Sequence, residues 1–464
     1  MSQLITNPAT LAPLGEVPES GTEAIEQAVA AARAAAGPWR NTPDARRAAL
    51  LKDIAGRIGA LAGELADLCT RESGMARCES LDCVHAAAAG FDVLSRNPPI
   101  GDAAGVTALL LPFDLPLPVM GAGVARALAA GQTVVCKPPA QNPLTSLALA
   151  RAFDGLPDGT VSVVTGGRAV GRALSAHPDV AAILFTGSSS AGLEVATAAR
   201  GKRLDLEVGT VDAQIVCRDT DLDLTVPAVA WTRLVYGGQG SLSGGHIYVE
   251  RSLAREFVDR LHQCVGFLDV DDPAKPSTDL GPLISLDAAR KLEDQVGRTL
   301  RAGAKLILGG RRFRPSGLPG HFFQPTILTD VPAGSVPMRE QLLGPVITVT
   351  PVADLAEALR LCTEFSPRPL ISPSVASIYT ADAEAAGRAV QAMAEGFFRI
   401  NDPPVGALGP FSGLRHLGIR HALGVPQALG VPREDPPRKK HVEMARAIER
   451  KAWWFPYVDR ARLP

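Results

Sequence analysis

Ala182-Ile183-Leu184-Phe185 runs directly into Thr186-Gly187-Ser188-Ser189-Ser190-Ala191-Gly192. The first four residues form a β-rich run, and the segment after them opens a helix. Glycines at such a strand-to-helix turn let backbone approach a nucleotide, and the free amides of a helix start favour phosphate. A purely structural turn would explain the two glycines as well, so the neighbours must decide. Upstream, Gly131-Gln132-Thr133-Val134-Val135-Cys136-Lys137-Pro138 places a lysine at the carboxyl end of another short apolar run. Downstream, Asp205–Val208 repeats the pattern and closes on Glu207-Val208-Gly209. Short β-rich runs at Thr133–Cys136, Val161–Val164, Ala182–Phe185 and Asp205–Val208 alternate with helical segments. That alternation predicts right-handed βαβ units and a parallel sheet covered on both faces. In open sheets of this kind ligands bind at the carboxyl ends of the strands, where Lys137 and the Gly187 turn fall.

A second alternating block follows. A helix is expected around Leu222–Tyr236, a strand at Ile247–Val249, and helices near Ala254–Val265 and Leu286–Leu300. Further strands are expected at Lys305–Leu308, Val346–Thr350 and Val375–Tyr379. The reading is of two doubly wound α/β domains in series: residues 1–209, residues 210–403, and a returning segment with a tail over 404–464. The boundary is placed in a glycine-containing turn at Gly209–Asp212. Before the first sheet, Ser20 and Glu23 have capping-box spacing and Thr42-Pro43 has the form of a helix start. Leu50, Leu51, Ile54, Ile58, Leu61, Leu65 and Leu68 then recur on one helix face, with Gly74 as the stop. At the far end, Pro426, Pro432, Pro436 and Pro437 break regular structure, a helical stretch is expected at Lys439–Lys451, and Trp453–Tyr457 forms either a docking anchor or a tail tip with no particular seat.

The chain has 464 residues, 46% of them hydrophobic and 20% charged, which is ordinary globular composition. Forty-seven basic residues balance 48 acidic ones, a net charge of -1 that argues against a nucleic-acid carrier. The start, Met1–Pro13, has no basic and apolar signal pattern. The most apolar stretch, Val106–Gly131, is cut by Pro112, Asp114, Pro116, Pro118 and Arg126, short of the ~20 unbroken apolar residues that a membrane span needs. Seven cysteines without paired spacing read as reduced thiols in a cytoplasm, with no metal cluster.

Further ordered motifs are Gly238-Gln239-Gly240-Ser241, Asp279-Leu280-Gly281-Pro282-Leu283-Ile284-Ser285, Phe323-Gln324-Pro325-Thr326-Ile327-Leu328, Arg339-Glu340-Gln341-Leu342-Leu343-Gly344-Pro345 and Pro410-Phe411-Ser412-Gly413. In this order, from about Asn7 to Gly424, the set resembles the aldehyde dehydrogenase superfamily. The resemblance implies a Rossmann-type dinucleotide-binding domain, a catalytic domain and a small oligomerisation element. It also implies NAD- or NADP-dependent oxidation of an aldehyde, in which a cysteine thiolate attacks the carbonyl and a glutamate activates the hydrolytic water. Lys137, Gly187, Ser188 and Gly192 match the family's cofactor residues. Glu207 matches its general base.

The departures fall on the chemistry. The nucleophile's position, second after the Gly-Gln pair, is Ser241; a serine hydroxyl needs a positioned base, whereas a thiol is partly ionised on its own. His246, the nearest histidine in sequence, reads as a strand-edge residue out of reach. The oxyanion asparagine's position is Asp114 in Pro112-Phe113-Asp114-Leu115-Pro116, and loss of one such donor costs roughly 10²–10³ in rate. The acidic residue three after the lysine is Ala140, the ribose-binding glutamate aligns with Gln341 beside Glu340, and no arginine obviously takes the ribose partner's place. NAD or NADP binding is therefore expected, in weakened form. Thr210 replaces a family glycine. The chain is short between Glu72 and Pro112, where the family's oligomerisation strands lie, so a changed association or a protein partner is expected. The resulting expectation is an aldehyde dehydrogenase homologue impaired in oxidation, with a binding or partner role. The alternatives are a working oxidoreductase with an atypical site and a Ser241-dependent esterase.

Overall fold

The computed structural model describes residues 2–96, 105–208, 212–240, 243–365, 375–392, 397–401 and 441–444. A hairpin of β1 (Ser2–Thr6) and β2 (Pro13–Pro18) leads into α1 (Thr22–Arg40), α2 (Asp44–Ala60), α3 (Ala62–Ser73) and α4 (Arg77–Arg96). Then come β3 (Val106–Leu110), α5 (Pro116–Ala129), β4 (Thr133–Lys137), α6 (Pro143–Ala150), β5 (Val161–Val163), α7 (Arg168–Ala176), β6 (Val180–Gly187), α8 (Ser189–Ala198) and β7 (Arg203–Val208). These five strands form one sheet in the order β5-β4-β3-β6-β7, with every pairing parallel. The order reverses direction between β3 and β6. At such a switch point the connections leave on opposite faces, and a crevice opens beyond the carboxyl ends of the two strands.

The second sheet begins with β8 (Ala213–Val216), followed by α9 (Leu222–Leu234), β9 (His246–Glu250), α10 (Arg251–Gly266), α11 (Leu286–Arg301) and β10 (Lys305–Leu308). It continues through β11 (Thr326–Thr329), β12 (Val346–Val352), α12 (Leu355–Phe365), β13 (Val375–Tyr379), α13 (Ala383–Ala392), β14 (Phe397–Ile400) and β15 (His441–Met444). Eight strands pair in the order β10-β11-β12-β9-β8-β13-β14-β15, parallel except for the antiparallel edge strand β10. Two parallel sheets with covering helices are the α/β architecture that the alternating pattern predicts. The strands on either side of Gly209–Asp212 belong to different sheets; Gly209, Thr210 and Val211 themselves lie outside the described residues.

Several local expectations are corrected. Ser20 caps nothing: its amide donates to the Thr165 carbonyl at 2.8 Å and its hydroxyl accepts from Thr165 N at 3.0 Å. Gly21 takes the cap position of α1 instead, because tertiary partners on the strap before α7 compete for the serine. Thr42 likewise turns back to the Pro38 carbonyl, and α2 starts at Asp44 with Pro43 as its cap. The single apolar helix face from Leu50 to Leu68 is two helices, joined at Leu61, and Gly74 ends the second in the left-handed conformation (φ 79°). Within the expected helix at Lys439–Lys451, residues His441–Met444 are a strand, in register with Phe397–Ile400. An available sheet edge outweighs a weak local helix pattern. The proline-rich segment before it and Trp453–Tyr457 lie outside the described residues. Among the described residues between Glu72 and Pro112 the only strand is β3, which belongs to the five-stranded sheet. None of the described helices is long and apolar enough to cross a membrane.

The first sheet is held in place by helix packing at very short range. A Cβ built on Gly121 of α5 would lie 2.6 Å from the Ala87 Cα of α4, so the two helix backbones touch there. Gly121→Ala is expected to destabilise the protein by about 1–3 kcal/mol, because overpacking at a backbone contact exceeds the gain in helix propensity. Urea unfolding of the variant beside the parent protein checks this.

Candidate functional site

The crevice at the switch point is a cavity of about 480 Å³. Its walls come from both sheets: Leu110–Asp114 after β3, Lys137 and Pro139–Gln141 after β4, Phe185–Ser188 after β6, and Gln239, Gln341 and Leu343 from the second half of the chain. Five of the sequence-derived site residues therefore meet in one place: Asp114, Lys137, Gly187, Ser188 and Gln341. Gly192 and Glu207 stand immediately behind the wall. Ser241 lies outside the described residues. Of the residues next to it, Gly240 accepts a 3.0 Å hydrogen bond from Ser243 N.

Gly187 and Gly192 are needed for close packing, not for an unusual backbone angle. A Cβ at Gly187 would sit 2.7 Å from Phe185 Cζ, and one at Gly192 would sit 2.6 Å from Val208 Cγ1. Helix α8 thereby lies tight against the sheet with its first turn at the cavity wall. Ser188 caps it, accepting from Ala191 N at 3.3 Å. Lys137 lines the cavity with its amine anchored: Nζ donates to the carbonyls of Pro138 at 2.6 Å and Gly166 at 2.9 Å. Burial brings this ammonium down to about 8, with Glu19 opposing the shift. The loop from Lys137 into α6 is held at the first turn of that helix by Glu72, whose carboxyl accepts from Leu144 N (2.5 Å), Thr145 N (2.8 Å) and the Thr145 hydroxyl (2.5 Å). Asn142 ties that loop to the one carrying Asp114, donating to the Phe113 carbonyl at 2.8 Å.

Asp114 is only 7% exposed and faces the cavity. Glu207, on β7, is reached by the Thr186 hydroxyl at 3.4 Å. Burial pushes the Glu207 carboxyl up to about 7; Asp205 and then Asp114 add like-charge repulsion, and Thr186 opposes them. Lys202, five residues before Glu207, donates to the His177 carbonyl. Glu340 cannot stand in for the neutral Gln341. Its carboxylate is taken by Arg298 at 2.5 Å and by Gln295 at 3.1 Å, which hold it below the usual carboxylate range.

The second-half wall is set by an unusual loop. Tyr236, Gly237 and Gly238 all have left-handed backbone (φ 57°, 63° and 68°), a costly run for the tyrosine. Glu79, buried on α4, accepts from Tyr236 N at 3.0 Å. Gln239 is locked by Ile284 N, which donates to its Oε1 at 2.8 Å. Buried Arg233 donates to the carbonyls of Gly238 (3.2 Å) and Leu342 (2.5 Å), joining this loop to the one bearing Gln341.

His246 opens β9, an interior strand, and is buried. Its Nε2 meets Thr350 Oγ1 at 2.7 Å, and that hydroxyl donates to the Val331 carbonyl. The hydroxyl must therefore accept, so Nε2 carries the proton and Nδ1 accepts from Thr348. Both nitrogens are engaged, and burial lowers the ring to about 3; it is a neutral core histidine. All seven cysteines are among the described residues, and none lines the cavity. Burial raises Cys69 to about 11 and Cys217 and Cys362 to about 12, so these thiols stay protonated.

The sequence reading missed two residues. Arg168 and Arg172 of α7 line the cavity. Arg168 pairs with Glu194, while Arg172 has no ion-pair partner among the described residues. Their spacing of four on one helix face was a usable signal, but only the fold turns that face toward the crevice.

The aldehyde dehydrogenase family model matches residues 2–429. The chain is 31% identical over 441 residues to the succinate-semialdehyde dehydrogenase (NADP(+)) GabD of Escherichia coli strain K12, covering 89% of each. It is 35% identical over 384 residues to 3-succinoylsemialdehyde-pyridine dehydrogenase of Pseudomonas sp., covering 78% of this chain and 80% of that one. Among solved structures, lactaldehyde dehydrogenase from Escherichia coli superposes with a TM-score of 0.81 at 29% identity, covering 87% of this chain and 88% of the other. The glyceraldehyde-3-phosphate dehydrogenase GapN from Methanocaldococcus jannaschii, complexed with NADP, gives 0.81 at 26% identity, covering 87% and 91%.

The pH dependence of Glu207 is open to test. In the folded chain it holds its proton up to about pH 7, against an ordinary value of 4.5, so its ionisation weakens the fold as pH rises through that window. Glu207→Gln is expected to be more stable than the parent at pH 8 by about 1–3 kcal/mol, and equal to it below about pH 4, where both forms are neutral. Urea midpoints at the two pH values measure the difference.

Proposed function

The chain belongs to the aldehyde dehydrogenase family, and from that premise we propose that it is a member impaired in aldehyde oxidation which retains a dinucleotide site and serves a binding or partner role. One observation carries the reading: a serine follows Gln239-Gly240, and no cysteine reaches the cavity that Gln239 helps to line. The same cavity is lined by Asp114, a group that when ionised repels a developing oxyanion where a neutral amide would donate to it. The two changes reinforce each other, one removing the thiolate and the other opposing the charge that carbonyl attack creates.

The residues present fit a nicotinamide dinucleotide. The cavity of about 480 Å³ ends at the first turn of α8, whose amides suit phosphate, and Lys137 stands at a strand end beside it. Gly192 brings α8 as close to the sheet as the packing permits. When bound, such a group supplies a hydride acceptor. This chain's residues hold it: Lys137 as a hydrogen-bond donor, Ser188 and the α8 amides toward phosphate, and Gln341 as a neutral ribose partner. Ala140 leaves no carboxylate to repel a 2′-phosphate, and Arg172 of the neighbouring helix offers a guanidinium to pair with one. NADP is therefore the preferred form. The cofactors named for two of the relatives, NADP(+) for the Escherichia coli succinate-semialdehyde dehydrogenase and NADP for the Methanocaldococcus jannaschii enzyme, support this choice. The shortened stretch before β3 supports a changed association between subunits, which sedimentation of the purified protein would report.

Two measurements test the proposal. With a panel of aldehydes and NADP or NAD, the parent protein is expected to give no turnover above background, and the Ser241→Cys, Asp114→Asn double variant to gain at least about 10²–10³ in rate. Turnover by the parent at the double variant's rate would sink the impaired reading. In binding titrations, Arg172→Ala is expected to weaken NADP about tenfold, about 1.4 kcal/mol, and to leave NAD unchanged. An equal loss for both would remove Arg172 from the 2′-phosphate.

A further inference from the structure

Lys137 runs along the first turns of α7. Its Cδ and Cε lie 3.7 Å from where a Cβ on Gly171 would stand, and its Nζ reaches the Gly166 carbonyl at 2.9 Å, just before the Gly167 cap of that helix. Lys137, Gly171 and Arg172 all line the cavity, so the lysine and this arginine share one stretch of its wall. Lys137 is the only amine or thiol on that wall among the described residues.

The amine has two acceptors, the carbonyls of Pro138 at 2.6 Å and Gly166 at 2.9 Å. An ammonium carries three N–H groups; a neutral amine carries two and a lone pair. The two carbonyls therefore satisfy the neutral amine completely and leave its lone pair unused, and burial favours that form. Glu19 acts the other way, but it is exposed, accepts from Gly167 N at 3.1 Å and stands outside the cavity lining. The other charged groups on the wall are Arg168, paired with Glu194 of α8, Arg172 and Asp114.

A desolvated lysine amine is a nucleophile toward carbonyl carbon. We propose that Lys137 captures anionic aldehydes as an imine, with Arg172 taking the anionic group. The lone pair attacks the carbonyl carbon, a C–N bond forms, and both amine hydrogens leave with the carbonyl oxygen as one molecule of water. No oxidant or reductant is needed. Protonation of the imine restores one N–H, enough for one of the two carbonyls. Arg172 follows Gly171 directly, is exposed and has no ion-pair partner among the described residues, so its guanidinium is available to a phosphate or a carboxylate. The inference goes beyond the dinucleotide reading and does not rest on it. It gives the chain a reversible aldehyde chemistry that requires no thiol.

Labelling of the purified full chain tests this. The probe is pyridoxal 5′-phosphate, with pyridoxal as the control that lacks the phosphate; imines are fixed with borohydride and located by peptide mass mapping. Lys137 is expected to be labelled at pyridoxal 5′-phosphate concentrations at least about tenfold below those that label the exposed Lys52 and Lys291. Its labelling is expected to level off above about pH 8, where the amine is already neutral, while that of Lys52 keeps rising toward the ordinary lysine range. Arg172→Ala is expected to raise the pyridoxal 5′-phosphate concentration required at Lys137 about fivefold and to leave pyridoxal unchanged. Labelling of Lys137 no better than that of Lys52 and Lys291 overturns the inference, as does an unchanged yield of label in Lys137→Arg. An equal effect of Arg172→Ala on both probes overturns the assignment to anionic aldehydes. Should Lys137→Arg not fold, the peptide map of the parent protein decides.

Discussion

The amide of Gly344 donates to the carbonyl of Gly238 at 2.8 Å, and a Cβ on Gly238 would stand 2.1 Å from the Gly344 carbonyl oxygen. No side chain fits between these strands of loop, and the left-handed angle at Gly238 would strain one in any case. Much of the site's geometry follows from this contact. It fixes the Gln239 loop against the Gln341 loop, so that Gln239, Gln341 and Leu343 reach the crevice on one wall. Arg233 completes the clamp from beneath. Its guanidinium is buried, and burial lowers it to about 10, with nearby Asp212 offsetting part of the shift. The carbonyls of Gly238 and Leu342 offset part of the cost of burying this cation.

The opposite wall obeys a different constraint. Its residues sit beyond strand ends, where backbone pairing stops, and each needs a side-chain brace. Glu72 holds the start of α6, Asn142 holds the Phe113 carbonyl, and Lys137 closes on two carbonyls of its own loops. Glu72 illustrates the balance of forces. Three donors favour its charged form, yet burial is the larger effect and raises it to about 7. Glu207 is raised to a similar value by burial and by Asp205 and Asp114, with one long hydrogen bond among the described residues opposing them.

Alternation of apolar runs with helical segments was enough to predict parallel sheets, because a strand buried on both faces must be apolar throughout and must be followed by a covering helix. The order of motifs identified the family, and the identity of two residues, Ser241 and Asp114, carried the functional expectation. Those properties are local: they reside in residue type and spacing. Ser20 is taken from its expected cap by a distant partner, Thr165, and Thr42 by the Pro38 carbonyl one turn back, a choice residue type alone does not specify. The strand at His441–Met444 was misread because pairing with β14 is decided by a sheet edge some forty residues earlier in the chain. Arg168 and Arg172 were passed over because nothing along the chain tells which face of α7 meets the crevice. Only the tertiary structure brought Lys137, Asp114 and the arginines around one space, with Glu207 behind its wall, since electrostatic and packing energies depend on distance through space, which sequence order does not contain.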